Sequence, residues 1–269
     1  MVIDFHTHIF PDKIAPATVK ALGESCNIPA YSDGTLTALT ERLAAAGVDI
    51  AVNLPVLTKP RQFDSVLDFC TALIRASYSG ARIISFAGMH PDEEDIEGRM
   101  DAIKARGFLG IKLHPDYQGA FFDCDGYVRI VAEAKKRDLV VVTHAGLDGA
   151  YVGQPIKCTP DRVLRLLDKV GGYSKLVLAH LGGNELYGEV YEKLAGLDIY
   201  FDTAYILGGI DREGFVKMLK KHGEDKILFA TDSPWQPIKD NLEKLRGFAL
   251  DRQTEEKLLY KNAAKLLHL

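Results

Sequence analysis

The feature that most restricts this chain is its rhythm, in which short apolar runs alternate with longer amphipathic ones from end to end. The strand-like runs fall at residues 2–8, 49–55, 82–89, 108–114, 139–144, 175–180, 198–203 and 226–232. The helix-like segments lie near 36–46, 62–78, 93–106, 124–137, 160–170, 184–195, 211–222 and 238–247. Such β–α alternation calls for a parallel sheet, because each crossover helix returns the chain to the same end. Eight repeats predict closure into a single (β/α)8 TIM barrel. An open doubly wound sheet should carry a Gly-rich phosphate turn after an early strand, and there is none in the sequence.

The punctuation agrees. Thr159 is placed to cap a helix with Pro160 at its first position and Gly171 closing it. Asn184 and Gly196 bracket the next helix, and Asp211 and Gly223 another. The closing segment TEEKLLYKNAAKLLHL reads as an extra C-terminal helix capped by Thr254. No linker, low-complexity tract or charge block divides the chain, so one domain over residues 1–269 is expected.

With 47% hydrophobic and 26% charged residues and a net charge of −4, the chain has the make-up of a globular protein with a large core. Nothing in this balance favours nucleic acid or a membrane as partner, and a small-molecule substrate is expected instead. Cys26, Cys70, Cys124 and Cys158 form no C-x-x-C pair and read as reduced structural thiols; Cys158, in a long loop, leaves open a place near the active site. The start MVIDFHTHIF lacks the basic and apolar regions of a signal peptide, and a cytoplasmic location is expected.

Strand residues alternate in direction, so parity sorts side chains by face. In GFLGIKLHP, Leu109, Ile111 and Leu113 should face the helices and Lys112 and His114 the barrel interior. The same reading sends Asp4, His6, His8, Asn53, His90, His144, His180, Tyr200, Asp202 and Asp232 inward. Buried ionisable groups cost several kcal/mol unless paired or metal-bound, so this convergence of polar groups on one rim demands a function. His222 and His268 lie on predicted helices and read as surface residues.

His6 and His8 share a strand face and can grip one ion. Imidazoles with a carboxylate suit catalytic zinc and also iron, manganese or cobalt. The ordered set DFHTH, GIKLHP, VVTHAG, LAHLGG and FATDSPW, followed by LLYKNAAKLL, resembles the amidohydrolase superfamily over residues 4 to 267. The nearest branch is the amidohydrolase-2 group, which includes aminocarboxymuconate-semialdehyde decarboxylase. The resemblance implies that His6, His8, His144 and Asp232 hold one divalent metal, most often zinc, and that His180 is the general acid/base, with Asp232 also part of the catalytic set. It also points to a homodimer. In two-metal relatives a strand-four Lys bridges a second ion, so a carboxylated Lys112 would imply two. The plainer reading is an unmodified Lys112 paired with Asp4 or Asp202 or holding a substrate anion, because GIKLHP is similar to the one-metal branch.

The loops after the strands must build the substrate pocket. His114 and His90 are expected to orient substrate, and Lys59 and Arg61 can clamp a carboxylate. Trp235, Tyr117, Phe121 and Phe122 are candidates for an apolar wall. The leading expectation is hydrolysis by metal-bound hydroxide of an amide, lactone or ester of a small carboxylated or cyclic molecule. The alternative is non-oxidative decarboxylation of an unsaturated or aromatic acid. Some aromatic-acid decarboxylases of the group carry Glu where this chain has His6. A third reading, an inactive barrel serving as a binding protein, conflicts with the full set of ligand residues.

Overall fold

A computed structural model describes residues 1–76 and 80–269. Its strands are β1 (Ile3–Thr7), β2 (Ile50–Asn53), β3 (Arg82–Ser85), β4 (Ala87–Gly88), β5 (Gly110–Leu113), β6 (Val140–Thr143), β7 (Leu176–Leu178), β8 (Tyr200–Asp202) and β9 (Ile227–Leu228). Every pairing along β1-β2-β3 and along β4 to β9 is parallel. β3 and β4 are one barrel strand interrupted at Phe86, whose N–H donates to the Asn53 carbonyl at 2.9 Å. The ring closes between the last strand and β1: Phe5 N–H donates to Phe229 O at 2.9 Å, Asp232 N–H to His6 O at 2.9 Å and His8 N–H to Ser233 O at 2.7 Å. The fold is the (β/α)8 barrel that the alternation predicts, with an extra helix at the C-terminus.

Two apolar layers hold it together. Ala51, Ile83, Ile111, Leu113, Val141, Leu178 and Phe201 pack outward against the helices. Ile3, Phe5, Val52, Phe86, Val142, Val177, Tyr200 and Leu228 fill the barrel, and Ala263, Leu266 and Leu267 of the C-terminal helix close its floor. Each Val, Leu, Ile or Phe among them contributes about 1.5–3 kcal/mol on burial. The helices at Leu36–Ala46, Pro160–Val170 and Ile238–Gly247 have their expected bounds, Thr159 and Asp211 are N-caps, and Gly171 and Gly223 end their helices. The helix expected at 62–78 runs Phe63–Arg75, and positions 77 and 78 lie outside the described residues.

Several expectations need correction. Between the first strand and the helix at 36–46, where the rhythm marks no helix, Ala15–Cys26 is helical. The helix expected at 184–195 is shorter, Tyr187–Lys193, with Leu186 rather than Asn184 at its start. The last helical stretch is capped by Asp251, whose carboxylate accepts from Thr254 N at 3.0 Å. His222 is buried at 5% exposure and stacks on Phe201, with ring centroids 3.8 Å apart. Asn53 and Asp4 do not face the interior: they are in phase with Ala51 and its register partners, on the helix side. Asn53 donates to Ser85 Oγ and accepts from Ile9 N, while Asp4 accepts from Thr231 N and Oγ1.

Candidate metal centre

Strict alternation would not bring His6 inward, because Ile3 and Phe5 already point into the barrel. The β1–β2 register shifts between Asp4 and Thr7, where three steps along β1 match two along β2. This bulge resets the phase, so His6 and His8 both reach the mouth. His180 and Asp232 are aimed by a different device. Leu176 and Leu178 face the helices, so parity would send His180 out. Instead His180 and Asp232 have φ of 59° and 71°, in the left-handed region, which turns both side chains back over the barrel. Non-glycine residues held there cost about 1–3 kcal/mol each and collect at functional sites.

His6 Nδ1 donates to Asp202 Oδ2 at 2.8 Å, and His8 Nδ1 donates to the Leu54 carbonyl at 2.8 Å. In a neutral ring whose hydrogen is given to that acceptor, Nε2 is left bare. Those nitrogens meet Asp232 Oδ1 at 3.4 Å from His6 and 3.1 Å from His8. The three ligand atoms all lie within 4.8 Å of one another. Burial alone would raise the Asp232 carboxyl, but His6 and His8 beside it hold it below the usual carboxylate range. Burial, then Lys112, drives His6 well below the ordinary imidazole value, which favours the neutral ring. Three converging acceptors in a buried site suit a divalent cation.

Lys112 is 1% exposed, and its Nζ lies 3.0 Å from His6 Nε2. It makes no direct ion pair with Asp4 or Asp202 among the described residues; Asp202 and Asp232 act on it at longer range. Burial lowers its ammonium to about 8 against that pull. Asp202 is spoken for, since its Oδ1 accepts from His180 N at 2.9 Å and Ala204 N at 3.0 Å.

His180 Nδ1 donates to the Ala204 carbonyl at 3.0 Å, leaving its Nε2 2.9 Å from His144 Nδ1. His144 is in phase with inward-facing Val142 and stacks on His114, with centroids 4.3 Å apart and planes 13° apart. The loops carrying His144 and His180 touch at Gly146, where a Cβ would come 2.2 Å from Asn184 N and O; only glycine fits. His144, expected beside His6, His8 and Asp232, falls instead in a second group, with His114 and Asp148, whose ligand atoms lie within 4.8 Å of one another.

Beside these groups is a cavity of about 370 Å³ lined by Lys59, His90, Asp116, Tyr117, Tyr151 and Lys157, among others. Arg61 is exposed and does not line it. Trp235 is half-buried and lies near Gly23 of the Ala15–Cys26 helix, away from this cavity. Phe122 is in the core, while Phe121 lies under the Arg162 guanidinium at 3.7 Å. Cys158 is buried, and burial pushes its thiol well above the ordinary value, which makes it a packing residue. Asp116 and Asp148 are placed by the short turn after β5 and the loop after β6, and no periodicity in the sequence announces them. Among the described residues no helix is long and apolar enough to cross a membrane.

The chain is similar in fold to a dihydroxybenzoic acid decarboxylase from Polaromonas sp. JS666, solved with bound manganese and the inhibitor 2-nitroresorcinol (14% identity, TM-score 0.72, 100% of this chain and 97% of that one). It is also similar to 5-carboxyvanillate decarboxylase from Sphingomonas paucimobilis (14%, TM-score 0.69, 100% and 99%). A third is a protein proposed to be a 2-pyrone-4,6-dicarboxylic acid hydrolase, from Pseudomonas putida (15%, TM-score 0.66, 99% and 97%). No curated protein matches the sequence. The family model for Amidohydrolase, of the amidohydrolase-2 group, matches residues 3–269, and the chain belongs to that family.

Proposed function

We propose that the protein is a metal-dependent lyase that removes carbon dioxide non-oxidatively from a small unsaturated or aromatic carboxylic acid. Lys112 carries this reading. A fully buried ammonium 3.0 Å from His6 Nε2 supplies positive charge where a substrate carboxylate would enter the barrel mouth. Hydrolysis of a neutral amide or ester has no need of that charge. Lys59 and Lys157 on the cavity wall add to it. The decarboxylases of similar fold, one with manganese, support the same choice over the hydrolysis expected first from sequence.

A divalent ion held by His6 Nε2, His8 Nε2 and Asp232 Oδ1, with His144 as the further donor expected from sequence, would supply a Lewis acid for the substrate's oxygens. Lys112 balances the carboxylate charge as the carbon–carbon bond breaks and its electron pair stays on the ring or alkene carbon. Carbon dioxide leaves neutral, and that carbon takes one proton. His180 is the donor we assign, with Nδ1 anchored to Ala204 and Nε2, 2.9 Å from His144 Nδ1, as the nitrogen that would take up and deliver the proton. Tyr117 and Tyr151 help exclude water and so strengthen each charge interaction.

Hydrolysis of an amide, lactone or ester is the second reading. The His144–His180 pair at 2.9 Å favours it, since the same relay can manage the protons of an attacking water. The metal-reconstituted protein should be offered matched panels of unsaturated and aromatic acids and of amides, lactones and esters. Chelator-sensitive carbon dioxide release from an acid is expected. Acid release from a hydrolysable compound, with no carbon dioxide from any acid, would establish hydrolysis instead.

A further inference from the structure

Gln118 ends the short helix Pro115–Gln118 and is buried at 7% exposure. Its side-chain amide uses every hydrogen-bonding group it has on the protein itself. Nε2 donates to the Leu57 carbonyl at 2.8 Å and to the Met89 carbonyl at 2.5 Å. Oε1 accepts from His114 N at 3.0 Å and from the Tyr127 hydroxyl at 2.8 Å. Only one orientation of the amide serves, because two carbonyls face its NH2 and two donors face its oxygen. The backbone N–H of Gln118 also donates to the His114 carbonyl at 3.0 Å, so His114 is gripped on both sides.

These partners belong to separate elements. Leu57 follows β2, Met89 follows β4, His114 follows β5 and Tyr127 lies on the helix Asp125–Lys136. Within three residues of each of the first three the chain forms cavity wall: Lys59 after Leu57, His90 after Met89, Asp116 and Tyr117 after His114. The loops are packed as tightly as they are tied. A Cβ on Gly88 would come 2.7 Å from the Leu57 side chain, and one on Gly126 would come 2.2 Å from the Pro91 carbonyl oxygen. The wall at His90 is therefore held from within by Gln118 and from outside by the start of the helix that carries Tyr127.

We infer that Gln118 is a positioning residue that sets the width of the substrate cavity, and through it the size of acid the enzyme accepts. The inference rests on the cavity of about 370 Å³ being the substrate pocket, as in the function proposed above. With both hydrogens and both lone pairs engaged, the amide has nothing left for the substrate and acts through the loops it joins. One side chain fixes three walls together, so a wide acid enters only if the Leu57 or Met89 carbonyl leaves Nε2. A buried carbonyl without a donor destabilises the protein, whereas a narrow acid leaves both bonds intact.

The test compares dissociation constants for benzoate and 2-naphthoate, acids of equal charge and different width, by calorimetry on metal-loaded protein. Gln118→Glu keeps the shape but meets the two carbonyls with at most one proton; Gln118→Met, which keeps the length and removes the side-chain bonds, takes its place if the buried carboxyl prevents folding. Tyr127→Phe is the control, because it removes one bond to Oε1 and leaves both carbonyl ties. Circular dichroism and metal content are matched across the set. The preference for benzoate over 2-naphthoate should fall about tenfold in the Gln118 variant, the scale of relieved overpacking. It should stay at the wild-type value in Tyr127→Phe. An unchanged preference in the Gln118 variant, even with both acids bound more weakly, would overturn the inference, and so would an equal fall in Tyr127→Phe. No binding of either acid by wild type would instead remove the cavity from the substrate's path, and the inference with it. Because binding is the readout, a failure to release carbon dioxide would count against decarboxylation alone.

Discussion

His8 Nε2 and Asp232 Oδ1 face each other at 3.1 Å, and no proton lies between them when a neutral His8 ring gives its only hydrogen to the Leu54 carbonyl 2.8 Å away. A carboxylate and a lone pair at that distance are stable together only with a cation to share. Replacing His6 and His8 together with Ala removes two of the three converging donors. The variant should fold, keep its secondary structure by circular dichroism, and lose one bound metal equivalent relative to wild type. Retention of the full wild-type complement would remove strand β1 from the metal site.

His180 is assigned the proton transfer, and its left-handed backbone makes Asn the replacement of choice, since Asn tolerates that conformation where most residues do not. His180→Asn should retain metal and Tm yet lose about 10²–10⁴ in kcat, the usual cost of a missing acid/base. Metal content and turnover are measured on one preparation. Near-wild-type turnover would place the proton donor elsewhere.

Lys112→Met keeps the length and apolar stem of the side chain and removes its charge. Because burial already lowers the ammonium to about 8, the fold holds that charge at a cost, and the variant should melt at a higher temperature while losing carbon dioxide release. A lower Tm with activity intact would show that the ammonium serves the fold rather than the substrate.

On the cavity wall, Lys59 is the side chain expected to meet a second anionic group of the substrate, and Arg61 is not. Because Lys59 is exposed, solvent limits the contact to about 1 kcal/mol, or about fivefold in KM for Lys59→Ala. Arg61→Ala should leave KM unchanged. The reverse pattern would mean that the Pro60–Gln62 turn rearranges on binding.

Acid sensitivity should trace in part to His222. Burial lowers its imidazole to about 4, below the unfolded value of 6.5, so the folded state favours the neutral ring. This stability is complete above pH 6.5 and is lost as pH falls through about 4, an effect on the order of 3 kcal/mol. His222→Gln keeps an acceptor for Gly196 N and removes the titration. Its Tm should fall less than that of wild type between pH 7 and 4; parallel falls would exonerate this ring.

Much of the architecture is legible in the apolar rhythm, because eight buried strands between amphipathic helices leave few other ways to close a core. The Ala15–Cys26 helix is hidden because it buries only Ala15, Val19 and Gly23, a stripe too thin and too small to stand out. Parity places Lys112, His144 and Asp202 on the correct face. It fails for Asp4 and Asn53, and it gives no reason for the aim of His180 or Asp232. There a bulge and two left-handed residues override the alternation, and neither device has a signature in a single sequence. Asp116 and Asp148 are invisible for a related reason: loop geometry, not periodicity, carries Asp148 to His114 and Asp116 to within 4.0 Å of His144.

The most direct measurement is an anomalous-difference map from crystals grown with manganese or zinc. The account predicts a peak bonded to His6 Nε2, His8 Nε2 and Asp232 Oδ1, with Lys112 Nζ moved off His6. Density with no peak at that point, and with Lys112 Nζ still hydrogen-bonded to His6 Nε2, would contradict it.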